Sequence, residues 1–157
     1  MNVQRRKEAK FIGSCQICEG DFKLRNDRMV HHGYKRPGNG YIVGDCPGVH
    51  EVPYEVSCEL VKTVLEIVKS RLAEDESRLA KYVAREVAWF LAPEVRWSAR
   101  SPLIYYVVGV TEPMRFLGAV EDRITDTKTN IYYGKREVER LTKRVENWTP
   151  KKVRESK

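Results

Sequence analysis

Long apolar runs are missing from this sequence. The longest, such as Leu103 to Val108, has six residues, whereas a membrane-crossing helix needs about 20. A helical membrane partner is therefore not expected. The opening stretch MNVQRRKEAK also lacks an apolar segment, which predicts an unexported, cytoplasmic chain. Several catalytic signatures are missing too. No Gly-rich loop runs into Lys-Ser or Lys-Thr, and neither G-x-S-x-G nor H-E-x-x-H occurs. The glycine-rich piece Arg36-Pro37-Gly38-Asn39-Gly40 neither follows a clear strand nor opens a helix, so it does not read as a phosphate loop. At 157 residues and 18.3 kDa, the chain suits one domain or two small modules rather than a large catalytic fold. The expectation is a protein that is not an enzyme.

Charge is plentiful, at 32% of residues, and unbalanced: 29 basic against 22 acidic side chains give +7. Residues 113 to 157 hold twelve basic and seven acidic groups, +5 of that total. An anionic partner follows as a first expectation.

The sequence reads in three parts, within an α+β fold. Residues 1 to 53 form a basic arm (1 to 10) and a turn-rich module, with a β-hairpin over Asp21 to Arg25 and Arg28 to Tyr34 about the turn Asn26-Asp27. That module has too few large apolar residues to hold itself by burial. Residues 54 to 148 read as two long helices. The first has apolar residues at Val61, Leu65, Val68, Leu72, Leu79, Tyr82 and Trp89 and is expected over 54 to 91, after Pro53. The second carries Leu117, Val120, Ile124, Thr127, Ile131, Gly134, Val138, Leu141, Val145 and Trp148, in alternating steps of three and four, and is expected over 114 to 148. Similar lengths, about 50 to 55 Å at about 1.5 Å per residue, suit an elongated, antiparallel, coiled-coil-like pair. The same stripes can serve as ordinary core packing, and self-association into a homo-oligomer stays open. A distal β-hairpin is expected at 93 to 112, from the runs Val95 to Ser98 and Leu103 to Val110. Residues 149 to 157 are expected to be a loose basic tail after the helix.

The four cysteines carry the most specific signal. In a reducing compartment such residues are metal ligands or buried apolar groups more often than disulfides. Cys15 and Cys18 form a C-x-x-C pair, His31 and His32 follow, and Cys46 sits between Gly44-Asp45 and Pro47-Gly48. Two cysteines so spaced can turn both thiolates onto one ion, and tetrahedral zinc needs four donors at about 2.0 to 2.3 Å. Zinc would then tie together a module that lacks a core. On a strand the two histidines would face opposite ways, so one of them serves. Cys58 competes for the fourth place, its alternative being a small buried apolar residue. His50 is a weaker competitor. A redox pair is the other reading of C-x-x-C, but Glu19-Gly20-Asp21 is a poor start for the helix it requires.

His31-His32-Gly33-Tyr34-Lys35-Arg36-Pro37-Gly38-Asn39-Gly40-Tyr41, with Cys15 and Cys18 before it, Gly44-Asp45-Cys46 and Pro53-Tyr54-Glu55 after it, and Trp148-Thr149-Pro150 near the end, resembles a pattern in small uncharacterised proteins of bacteriophages and bacterial mobile elements. The likeness spans most of the chain, and its motif-specific part is the cysteine and histidine module. It implies a zinc-binding accessory protein of phage or mobile-element origin, located in the bacterial host cytoplasm if phage-encoded. It implies no activity.

Two kinds of partner fit the residues. Nucleic acid would meet Arg25, Arg28, Lys35 and Arg36 around the module, with Tyr34 and Tyr41 available for stacking, and Lys143, Arg144, Lys151 and Lys152 at the end of the chain. Lys135, Arg136, Arg140 and Arg154 extend that stretch, although Glu137, Glu139 and Glu146 interleave with it as on any solvated helix. The alternative is a protein-binding adaptor acting on a host or phage protein through the helical pair or the 93 to 112 hairpin, with Trp97, Tyr105 and Tyr106 as anchors.

Overall fold

In a computed structural model, which describes residues 11–35, 42–91, 105–107 and 113–156, the chain is α+β. Strands β1 (Phe11–Ser14), β2 (Asp21–Arg25) and β3 (Arg28–Met29) come first, then β4 (Gly33–Lys35) and β5 (Ile42–Asp45). Helix α1 (Glu59–Val83), strands β6 (Trp89–Leu91) and β7 (Tyr105–Val107), helix α2 (Pro113–Glu146) and strand β8 (Arg154–Glu155) complete it. The described residues contain no helix long and apolar enough to cross a membrane.

The chain divides into two units, Met1–Glu66 with Arg140–Lys157, and Ile67–Glu139. These boundaries differ from the sequence division at 53 and 148, because each unit takes a share of both helices.

In the first unit, four strands form an antiparallel sheet in the order β3-β2-β1-β8. Asn26 and Asp27 both have positive φ, 51° and 60°, as a two-residue hairpin turn matched to strand twist requires. Leu24 faces Met29 and Arg25 faces Arg28 across it. The second strand of this hairpin is shorter than the expected Arg28 to Tyr34. After Met29 the backbone turns to the 50–51 loop, with Met29 donating to the Glu51 carbonyl and His50 donating to that of Met29. Gly33 to Lys35 then pairs with β5 instead.

The expected basic tail is a correction of the same kind. It returns to the sheet, where β8 pairs with β1 and places Glu155 opposite Phe11 and Arg154 opposite Ile12. Trp148 donates its indole N–H to the Tyr54 carbonyl at 2.6 Å, and the Lys151 amide donates to Glu55 at 2.8 Å. Val153 packs on the core of the unit, formed by Cys15, Cys18, Leu24, Met29 and Cys46. Three of those five residues are cysteines, so burial of hydrocarbon alone gives this core little.

The helix expected over 54 to 91 is shorter at both ends. Pro53 opens a turn at 54–56, and the helix proper starts at Glu59. At its C-terminus Arg85 adopts φ 59°, Arg85 donates to the Tyr82 carbonyl and Glu86 to that of Lys81. This left-handed closing pattern ends helices, here with arginine where glycine is usual. Trp89, read as helical, lies in β6 and pairs with Val107 of β7. The strand expected at Val95 to Ser98 lies outside the described residues.

In the second unit the two helices pack together. Tyr82 meets Ala119, Val120 and Ile124, with Leu79, Val87 and Phe116 around them. Leu72 lies against Gly134 and Glu76 pairs with Lys135, while Arg85, just past the end of α1, pairs with Glu121 near the start of α2, so the later part of α1 meets the earlier part of α2. The pair is antiparallel. Most of the α2 stripe is at least half-buried, from Val120 through Leu141, while Leu117 at its start is exposed.

Candidate metal centre

Cys15, directly after β1, opens a tight turn whose backbone is closed by two hydrogen bonds. Cys15 donates to the Gly20 carbonyl at 2.8 Å, and Glu19, at φ 62°, donates to that of Cys15 at 3.2 Å. The turn brings Cys18 back toward Cys15. A second turn follows β5, where Val49 donates to the Cys46 carbonyl and His50 has φ 64°. Gly48 is required there: a Cβ on it would collide with the Cys15 sulfur. His32, between β3 and β4, completes the set.

One donor atom from each of Cys15, Cys18, His32 and Cys46 lies within 4.8 Å of every other, and all four residues are buried. The Cys15 and Cys46 sulfurs are 3.7 Å apart. A disulfide needs about 2.05 Å. Two thiolates on a tetrahedral ion at about 2.3 Å each stand about 3.8 Å apart, which fits. The histidine supplies a further test of fit. His32 is 6% exposed, its Nδ1 lies 2.8 Å from the Val30 carbonyl, and its Nε2 is buried with no hydrogen-bond partner. The carbonyl fixes the proton on Nδ1, and the lone pair of Nε2 is left for an ion. Phe22 stacks on the imidazole at 3.9 Å between ring centres and holds its plane.

Burial pushes the Cys46 thiol up to about 12, with neighbouring Cys15 and Cys18 adding to the effect and the Gly48 amide opposing it. Burial likewise raises Cys15, against the Cys18 and Ile17 amides. Two thiols raised in this way do not ionise together unaided, whereas a bound divalent cation deprotonates thiols outright. Three sulfurs and one imidazole are a soft, tetrahedral donor set.

The remaining sequence candidates are placed elsewhere. His31 is exposed and its Nε2 pairs with Asp45 at 3.1 Å, outside the cluster. Cys58 is buried just before α1, also outside it, and His50 is exposed. Among the basic candidates, Arg144 is held internally: it donates to the Gln16 carbonyl at 2.9 Å, pairs with Glu19 at 3.2 Å and lies 4.5 Å over the Tyr54 ring. Arg140 also pairs with Glu19. Arg28 donates to the His50 carbonyl, while Arg25, Lys35, Lys143, Lys151 and Lys152 are exposed. Arg36 and Tyr41 lie outside the described residues, as does Trp97.

One residue of this neighbourhood carries no sequence signal. Gln16, between the two turn cysteines, is 2% exposed; its side-chain amide donates to Val52 at 2.9 Å and its Oε1 accepts from Leu60, in the first turn of α1, at 3.0 Å. It thereby caps the helix from within the cysteine turn. A polar residue inside C-x-x-C is ordinary surface chemistry until its partners are known.

The fold and cluster define an α+β protein with a buried cluster of three cysteines and one histidine placed so that it could hold a metal ion. Compared with known proteins, the chain matches no family model, no curated protein and no solved structure.

Proposed function

We propose that this is a non-enzymatic zinc-binding accessory protein whose ion staples the first unit and which binds nucleic acid through basic surface residues. The observation that carries the reading is the unpartnered, buried Nε2 of His32, on a ring that brings a nitrogen within 4.8 Å of three buried cysteine sulfurs. Zinc is the ion this donor set suits best, and four protein donors leave no open position for substrate, which favours a structural role. The C-x-x-C turn does not open a helix, which counts against a redox pair. The coiled-coil-like character of the helical pair, a phage or mobile-element origin and a cytoplasmic location belong to this reading. They rest on the heptad stripe and the sequence resemblance.

Elemental analysis of protein purified without chelator should find one zinc per chain. Protein that folds with no metal would remove the proposal. The nucleic-acid part predicts binding that weakens steeply with salt, and net charge +7 supports it. An adaptor for another protein is the second reading, favoured by exposed Val83, Met114 and Leu117 on the helices of the second unit. Affinity purification with and without nuclease separates the two.

A further inference from the structure

We propose that the outward face of the β3-β2-β1-β8 sheet is the surface that grips the nucleic-acid backbone, through Lys23, Arg25 and Arg28. The proposal rests on the nucleic-acid reading and adds where and how the contact is made. Successive side chains of a strand point to opposite faces. Phe22, Leu24, Met29 and Val153 pack on the cysteine cluster, so Lys23, Arg25, Arg28 and Arg154 take the other face.

Three features mark this face as an anion surface rather than a merely solvated one. Arg25 and Arg28 stand directly opposite each other across the hairpin, a like-charge pairing that works against the sheet. Lys23, Ile12 and Arg154 lie side by side across three strands, continuing the positive row. Among the described residues Lys23, Arg25 and Arg28 have no carboxylate partner, and Arg28 is steadied by its 2.8 Å bond to the His50 carbonyl. Arg154 differs, since it is bound to Asp21 at 2.6 Å and closes the row instead of serving it.

The face also lacks what other partners need. Its apolar member, Ile12, is half-buried, so the row offers no large anchor for a protein interface and no wedge for a bilayer. Basic residues that recur on one face about every 7 Å of backbone along β2, and about 4.8 Å apart between strands, are within side-chain reach of successive phosphates. With no aromatic side chain on the row to stack a base, binding should be indifferent to sequence.

The test uses the full-length protein and fluorescent random-sequence DNA of about 20 nucleotides, single-stranded and duplex, from about 50 to about 200 mM salt. Lys23→Gln/Arg25→Gln/Arg28→Gln should weaken binding at least about tenfold at the low-salt end and flatten the log-log salt slope by about 2 to 3. Lys23→Gln/Arg25→Gln, which leaves the Arg28 bond intact, should flatten it by about 1 to 2. Arg71→Gln/Lys81→Gln/Lys128→Gln removes the same charge from the helices and should stay within about twofold of the parent. Unchanged zinc content and circular dichroism establish that each variant is folded. A parent that binds DNA while the sheet variants keep its slope, or while the helix variant loses as much, overturns the assignment of the face and leaves the nucleic-acid reading standing. A parent that binds neither this DNA nor single-stranded RNA of the same length over the same salt range overturns both.

Discussion

Replacing Gln16 with leucine tests whether the cysteine turn and the start of α1 are joined by one amide side chain. Leucine matches glutamine in size but cannot satisfy the Val52 carbonyl or the Leu60 amide, which Gln16 meets at 2.9 and 3.0 Å. An orphaned buried group costs about 1 to 3 kcal/mol, and because both partners are half-buried the lower part of that range applies, about 2 to 4 kcal/mol for the two. The better burial of leucine returns about 1 kcal/mol. The net expectation is a loss of about 1 to 3 kcal/mol. In urea titration of the metal-loaded protein, a slope of about 2 kcal/mol per molar turns this into a midpoint lowered by about 0.5 to 1.5 M. Zinc content should stay at one per chain, since the Gln16 side chain is not in the donor set. A midpoint that does not move would refute the coupling. Loss of zinc would show instead that Gln16 acts through the shape of the cysteine turn.

The other predictions concern the cluster, two glycines and the returning C-terminal strand. Cys46→Ser and His32→Ala should each abolish stoichiometric zinc, whereas Cys58→Ser should retain it; elemental analysis reads all three, and zinc loss in the Cys58 variant would place that thiol among the ligands. Gly48→Ala should weaken zinc retention against a chelator because the new methyl meets the Cys15 sulfur, while Gly118→Ala, an exposed helical site with open space, should stabilise by about 0.5 to 1 kcal/mol in the same urea assay. The Arg154 guanidinium beside Asp21 holds that carboxyl below its ordinary value, helped by Ser14 and opposed by slight burial. A depressed native pKa means stability present above the ordinary aspartate value and lost as pH falls through the depressed one. Arg154→Gln should therefore destabilise at neutral pH and converge with the parent in acid, and parallel curves across that range would contradict the pairing.

The donor chemistry and the helical period are written in local sequence. Cys15, Cys18 and Cys46 stand out because cysteine is scarce and the pair spacing has a physical meaning, and the three-four alternation from Val120 to Leu141 marks a buried face wherever the partner lies. The Asn26-Asp27 turn was legible for a similar reason: its two residues tolerate positive φ. Choices between equivalent local signals were left to tertiary contacts. Which of His31 and His32 turns inward depends on the Val30 carbonyl and the Phe22 ring, and neither is encoded in the His-His pair itself. The end of α1 was set by Arg85 adopting a left-handed conformation, which ordinary arginine propensity opposes. The C-terminal stretch is polar and reads as a tail, yet an unpaired edge of β1, the Tyr54 and Glu55 carbonyls and the Asp21 carboxylate are there to receive it. Local sequence states what a segment can do alone; the hydrogen-bonding groups left open by distant segments decided what it does here.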